Sequence, residues 1–444
     1  MKKKTKRINQ SYFVIFVAAL AVLISAFAFM QTRDGGFTAE PETTVTTTVP
    51  TTEEITEPYV TSTAVIRSAG DILIHNPIHR AAKKSDGSYD FSNIFTNLKK
   101  VAEGCDYFVI NLETTFGGRD GREISGYPLF NSPDELAVNL KDIGVDCLLT
   151  ANNHSYDSFS KGFLRTIDII EKNKLDYTGT RKTEEDSKFL IKDINGIKIG
   201  FICYTYETGA TSGYDKALNG MNMNNEIAPL INSFDYYDLD SFYEEFSEQV
   251  KLMKKQGAEA IAAYMHWGDE YKLEENGYQK KMAQKLCDMG VDVIVGGHPH
   301  VVEPVELVTS TDGKHKTVCL YSMGNIVSNQ RRNRMRLQTG HTEDGLVFEM
   351  TFTKYSDGTV IFESIDSIPT WVHLYTQNGK SVYNIVPLSK NLDKKAESLG
   401  LNKTSGGLAE AKRSYERTMK LVEEGTKECN KYLKKQKRPS NLSP

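Results

Sequence analysis

The chain carries no excess charge of either sign. Its 54 Lys and Arg face 58 Asp and Glu, a formal net charge of -4. No global basic field draws it to nucleic acid. Cysteine is scarce, six in 444 residues, and the six show no zinc-knuckle or zinc-ribbon spacing. Cys105, Cys147, Cys203, Cys287 and Cys319 each lie in or beside an apolar run, where a free thiol packs as a small hydrophobe. No cysteine closely follows the apolar segment near the amino terminus, which argues against a lipoprotein anchor.

That segment is the clearest targeting signal present. Lys2, Lys3, Lys4, Lys6 and Arg7 form a basic block, and Tyr12 to Met30 is almost wholly apolar and uncharged. A run of about 20 such residues crosses a bilayer as a helix. The basic flank stays in the cytoplasm, so the remainder is expected outside, at the cell surface. The expected order is a cytoplasmic segment over 1–11 and a single-pass transmembrane anchor over 12–30. The alternative is a cleaved signal peptide, because Ala26-Phe27-Ala28 has the small-x-small form of a cleavage site. Residues 31–62 are rich in Thr, Glu and Pro and too poor in apolar side chains to fold, which predicts a disordered stalk. A folded domain is expected over 63–372. An extension over 373–444 should hold a surface helix and a disordered tail.

The domain contains a repeated pattern. Helix-like segments end at Gly104, Gly144, Gly257 and Gly290, where helix C-caps are expected. Each is followed by a short apolar run of strand type: 106–110, 145–149, 260–264 and 291–295. Alternation of this kind predicts an α/β fold. The polar residues fall directly after the runs: Asn111 and Glu113; Asn152, Asn153 and His154; His266; His298 and His300. Two further strands, Thr63 to Ala69 and Val318 to Tyr321, run into Asp71 and Asn325 in the same way. Open α/β sheets bind ligands at those carboxyl ends. A hairpin is expected from Gly345 to Ile365, around Ser356-Asp357-Gly358.

Four of the nine histidines lie at these ends. With Asp71, Glu113 and Asn153 they form an oxygen and imidazole donor set suited to one or two Zn²⁺, Mn²⁺ or Fe²⁺ ions. Taken singly, Asp71 reads as a helix or turn cap and His154 or His266 as a structural histidine; Asn152 and Asn153 read equally as turn residues, while the His298-Pro299-His300 pair reads as ligation. As a set at successive strand ends they read as a site. Trp267 and Tyr271 read equally as packing or as pocket lining. Arg331, in a basic run beyond Asn325, is a candidate contact for an anionic substrate. Gly117, Gly118 and Gly121 mark a polar loop suited to a lid.

At this point the residues carry a resemblance. Gly70-Asp71, Asn111-Leu112-Glu113, Ala151-Asn152-Asn153-His154 with Asp157, His266-Trp267-Gly268 with Glu270-Tyr271, Gly297-His298-Pro299-His300 and Tyr321-Ser322-Met323-Gly324-Asn325 occur in one order. That order, over Thr63 to Trp371, resembles the CapA (PgsA) family of capsule and poly-γ-glutamate synthesis proteins. The family is similar to the calcineurin-like metallophosphoesterases. The resemblance implies a four-layer α/β/β/α sandwich. It implies one metal held by Asp71 and His300 and another by Asn153, His266 and His298, with Glu113 bridging. It places His154, with Asp157, near the scissile group, to stabilise charge or donate a proton. The candidate substrate contacts are Asn111, Asn152, Trp267, Asn325 and Arg331. The sequence departs from that pattern at Leu73, where the superfamily places a histidine, so the first site lacks a ligand; His75 and His79 are the nearby substitutes. The implied function is synthesis or export of an anionic surface polymer, with that polymer or its membrane synthase as partner. The alternatives are an extracellular metallophosphoesterase and a non-catalytic accessory subunit of the synthase.

Overall fold

The computed structural model describes residues 57–119, 122–335 and 337–436. The expected anchor, nearly all of the expected stalk, Gly121 and the final tail lie outside them. Among the described residues no helix is long and apolar enough to cross a membrane.

In chain order the strands are β1 (Val60–Ile72), β2 (Tyr107–Asn111), β3 (Cys147–Leu149), β4 (Asp176–Thr178), β5 (Phe189–Ile194), β6 (Ile197–Tyr206), β7 (Ala217–Leu218), β8 (Met221–Asn222), β9 (Ser233–Phe234), β10 (Ala260–His266), β11 (Val293–Gly297), β12 (Val305–Thr309), β13 (Lys316–Leu320), β14 (Asn325–Val327), β15 (Asp344–Tyr355), β16 (Val360–Gln377) and β17 (Lys380–Pro387). One sheet runs β17-β16-β15-β1-β2-β3-β4, with β14 beside β1; the other runs β12-β13-β11-β10-β6-β5, with β9 beside β6. The centres, β1 to β4 and β6-β10-β11-β13, are parallel. The flanks β15, β5 and β12 pair antiparallel with them.

Parallel strands need cover on both faces, and β2, β10 and β11 are buried at every residue. One face of each sheet builds a shared core, where Ile66, Val109 and Cys147 meet Phe201, Tyr264 and Val295. The opposite face of the first sheet, with Phe108, Ile110 and Leu148, packs on Phe95 and Leu98 of helix Ser92–Ala102 and on Leu136 and Leu140 of helix Glu135–Asp142. The opposite face of the second, with Ile202, Ile261 and Ile294, packs on Phe246 of helix Leu239–Lys255 and on Met282 of helix Gly277–Asp288. The mixed α/β fold expected from the alternation is the one adopted, layered helix, sheet, sheet, helix.

The structure differs from the sequence reading in four places. β1 begins at Val60 rather than Thr63, because Val60 already pairs with Tyr355. β16 passes through the expected boundary at 372, and β17 adds a further strand. Val372, Tyr383 and Ile385 seal the outer core, which leaves no break there. The helix of the extension, Gly407–Leu433, is not confined to the surface, since Val422, Cys429 and Leu433 enter the core between the sheets. Gly144, Gly257 and Gly290 take the left-handed backbone expected of C-caps, at φ 97, 93 and 81. Gly104 does not; a Cβ there would lie 2.3 Å from the Arg67 guanidinium, so the glycine provides room. All six cysteines are free.

Candidate metal centre

Strand pairing gathers the polar residues at one edge. The β1–β2 register skips Gly70, so that Asp71 stands beside Asn111. A Cβ at Gly70 would lie 1.8 Å from the Gly324 carbonyl oxygen, which accepts the Asp71 N–H at 3.0 Å. On the second sheet, His266 pairs with Gly297 and so stands beside the His298-Pro299-His300 turn. Both turn histidines have left-handed backbone, φ 99 and 58. Asp71, Glu113, Asn153, His154, Asp157, His266, His298 and His300 are all buried.

The side chains converge. Glu113 belongs to two overlapping triads, one with His298 and His300 and one with Asp71 and His266, whose donor atoms lie within 4.8 Å of one another. His300 Nδ1 lies 3.1 Å from Asp71 Oδ2, and His266 Nε2 lies 2.8 Å from Asn153 Oδ1. Glu113 Oε1 is 3.6 Å from His266 Nε2 and 3.9 Å from His300 Nε2. The His298 and His266 rings are 5.0 Å apart. Asn111 Nδ2 donates to Asp71 Oδ1 at 2.7 Å and fixes that carboxylate. Beside the group, His154 Nδ1 lies 2.8 Å from Asp157 Oδ2, which also accepts the Phe130 N–H at 2.6 Å.

The electrostatics favour a cation. Burial pushes the Glu113 carboxyl well above its usual range, and the charges of Asp71, Glu270 and Asp157 add to that. Burial lowers His266 to about 3 and drives His298 well below its ordinary value, so both rings are neutral imidazoles with a lone pair to give. Burial also works to raise Asp71, but the hydrogen bond and charge of His300 outweigh it and hold Asp71 below the usual carboxylate range. Glu113 Oε1 and His298 Nδ1 are buried and have no hydrogen-bond partner. A buried acceptor without a partner is costly. Two carboxylates, an amide oxygen and three imidazoles crowded in this way fit one or two divalent ions.

Most of the expected substrate contacts are engaged within the fold, although Asn325 Oδ1 is buried without a partner. Trp267 is a core residue, fully buried, with Nε1 donating to the Tyr321 carbonyl at 2.9 Å. Arg331 does not reach for a substrate. Its Nη2 lies 2.9 Å from Glu343 Oε2, and its Nη1 donates to the Val372 carbonyl at 2.6 Å. Asn152 Nδ2 donates to the Leu112 carbonyl at 2.8 Å. Asn325 Nδ2 donates to the carbonyls of His300 and Thr342, at 3.2 and 3.1 Å. Leu73 is buried and offers no donor atom. Neither neighbouring histidine replaces the missing ligand: His75 Nδ1 lies 3.1 Å from the Leu73 carbonyl, and His79 Nε2 donates to the Ser125 carbonyl at 3.3 Å. At the start of the glycine loop the Gly117 N–H donates to Asn131 Oδ1 at 2.8 Å; Gly121 lies outside the described residues.

Sequence reasoning missed Tyr206 and Phe130. Tyr206 ends β6, with its ring 4.8 Å from that of His298. The strand-end rule points to it, although tyrosine was not sought as a donor. The Phe130 ring meets His154 edge-on at 4.8 Å, and no local pattern marks it.

A family model described as "Bacterial capsule synthesis protein PGA_cap" matches residues 65–330. The PGA biosynthesis protein CapA of Bacillus subtilis (strain 168) is 26% identical over 338 residues, 76% of this chain and 77% of the relative. The capsule biosynthesis protein CapA of Bacillus anthracis is 25% identical over 340 residues, 75% and 72% of the two chains. Among solved structures, the Thermus thermophilus sulfate thiohydrolase SoxB aligns at 12% identity with a TM-score of 0.36, covering 74% of this chain and 46% of that one. That likeness is too distant to establish shared detail.

Proposed function

The chain belongs to the bacterial capsule synthesis protein (PGA_cap) family, and from that premise we propose that it acts at the cell surface in synthesis or export of a poly-γ-glutamate-type anionic polymer. In this reading the apolar segment 12–30 tethers it to the membrane, and the partner is the polymer or its membrane synthase. The layered fold is read as that of a calcineurin-like metallophosphoesterase with a hydrolase-like metal centre. The observation that carries the metal reading is the pair of unpartnered buried atoms, Glu113 Oε1 and His298 Nδ1, inside one donor cluster. Asp71 and His300 would hold one ion and Asn153, His266 and His298 the other, with Glu113 shared. A bound divalent ion would supply Lewis acidity toward a phosphoryl or acyl oxygen.

The protein's own residues do the rest. Asn111 orients Asp71. Asp157 accepts the Nδ1 proton of His154, which leaves Nε2 as the atom that gives a proton to a leaving group. Phe130 walls that ring on one side. Metal analysis by mass spectrometry of the purified protein should find about one to two equivalents of transition metal. His298→Ala should remove most of it. A metal-free wild-type protein would defeat the metal reading.

One observation favours a second reading. Leu73 stands where the superfamily places a ligand and is buried, as suits a non-catalytic accessory subunit that keeps the fold with a single ion. Bound metal without turnover of any phosphoester or γ-glutamyl amide would select it.

A further inference from the structure

Three arginines border the loop between Glu113 and Asp157, and two of them are spent. Arg165 forks onto Asp134, with both contacts at 2.7 Å. Arg119 lies over the Tyr89 ring at 5.4 Å, with Glu135 3.8 Å away. Arg122 differs. Its guanidinium sits over the Phe159 ring at 5.0 Å, and its Nη1 is buried with no hydrogen-bond partner. A buried N–H left unbonded costs about 1–3 kcal/mol, more when it is charged.

The surroundings are built and fixed. Asn131 Nδ2 donates to the carbonyls of Gly118 and Glu123, at 2.9 and 3.0 Å, and so holds Glu123, the residue after Arg122. The adjacent residue, Phe130, donates to Asp157 and contacts His154. Phe159, the ring beneath the guanidinium, is half exposed and has left-handed backbone, φ 55. Holding a bulky residue there costs about 1–3 kcal/mol and is found where function requires it. That ring lies two residues beyond Asp157, whose carboxylate holds the His154 ring. Asp157 Oδ1 is itself buried without a partner, and among the described residues no ion pair joins it to Arg122.

We infer that Arg122 is an oxyanion-recognising residue, whose unspent N–H edge receives a carboxylate or phosphate oxygen of the molecule handled at the cluster. The planar guanidinium fork matches both anions. Stacking on Phe159 holds the fork in one orientation. The inference rests on the function proposed above only for which molecule carries the anion.

The test is calorimetric titration of the full-length protein in detergent with inorganic phosphate and, separately, glutarate, with manganese content measured in parallel. Wild type should bind at least one of them. Arg122→Gln should weaken that binding by about 10-fold or more, Arg122→Lys should fall between, and Arg119→Gln should match wild type. The preferred anion tells phosphate from carboxylate. Undiminished binding in Arg122→Gln, or no binding by wild type, overturns the inference. So does a fall in manganese content and thermal midpoint in Arg122→Gln, because the role would then be structural. If every form lacks metal while anion binding still depends on Arg122, the metal reading fails and this one stands.

Discussion

His298 and His300 pay for their positions in backbone strain, and Asp157 shows how a neighbour is positioned by hydrogen bonds instead. Its Oδ2 fixes the His154 ring at 2.8 Å and is itself fixed by the Phe130 N–H. Asparagine at 157 keeps the shape but can offer an N–H to Nδ1, which favours the wrong tautomer. Asp157→Asn is expected to cut hydrolysis of an aryl phosphate by about 10²–10⁴-fold. Metal content should hold. Loss of metal alongside activity would move Asp157 from the proton-handling pair into the metal cluster. Arg331 gives the converse lesson. Its sequence position beside Asn325 suggested a substrate contact, but nothing local in the sequence announced Glu343 as its partner, because β14 and the loop beyond it fold back before Glu343 arrives.

Among the elements, β1 governs the centre. Its crossing with the turn before β14 admits no side chain at Gly70. Gly70→Ala should cost about 3 kcal/mol and shift the urea midpoint accordingly. An unchanged midpoint would mean that the crossing is looser than the contact with Gly324 implies. This part of the fold was largely legible. Period, turn glycines and strand-end polar residues located β2, β3, β10 and β11 within a residue or two, because such strands are buried on both faces and read as plain apolar runs. The far side of the first sheet was not legible. β17 alternates weakly, and its cover, helix Ser92–Ala102, lies nearly 300 residues upstream, while β16 runs on past the hairpin strand read to Ile365 and packs on the C-terminal helix. The partners of the strand-end asparagines were hidden for the same reason. Asn111, Asn152 and Asn325 act through carbonyls and carboxylates that only the folded chain brings near.

At the scale of the molecule, the C-terminal helix latches the site from behind. Asn325 ties His300 to the Thr342 carbonyl, and the next residues, Glu343 and Asp344, are held by Arg332 and Arg417. Glu410 on the helix completes the network with Arg332, Arg413 and Arg417. Burial alone would raise the Glu410 carboxyl. Hydrogen bonds from Arg332 and Arg413 win and hold it at about 2, below its ordinary 4.5. A depressed acid contributes stability that is present above its unfolded pKa and lost as pH falls through the folded one. Glu410→Gln should therefore lower the thermal midpoint near neutrality, and the gap to wild type should close between pH 4.5 and about 2. A gap that stays constant with pH would assign the effect to packing.

The span of the cluster along the chain sets when it can exist. Asp71 and His300 meet across 229 positions, and the carbonyl that seats Asp71 comes later still, at Gly324. A chain threaded through a membrane from its amino terminus carries no centre in transit. Its donors reach the far side one at a time, as an unpaired aspartate, a glutamate and scattered histidines. For a chain that crosses in this way, the identity of any ion would be decided by the medium into which the last donor, His300, emerges, with about a third of the chain still to follow, rather than by the metals of the compartment where translation began.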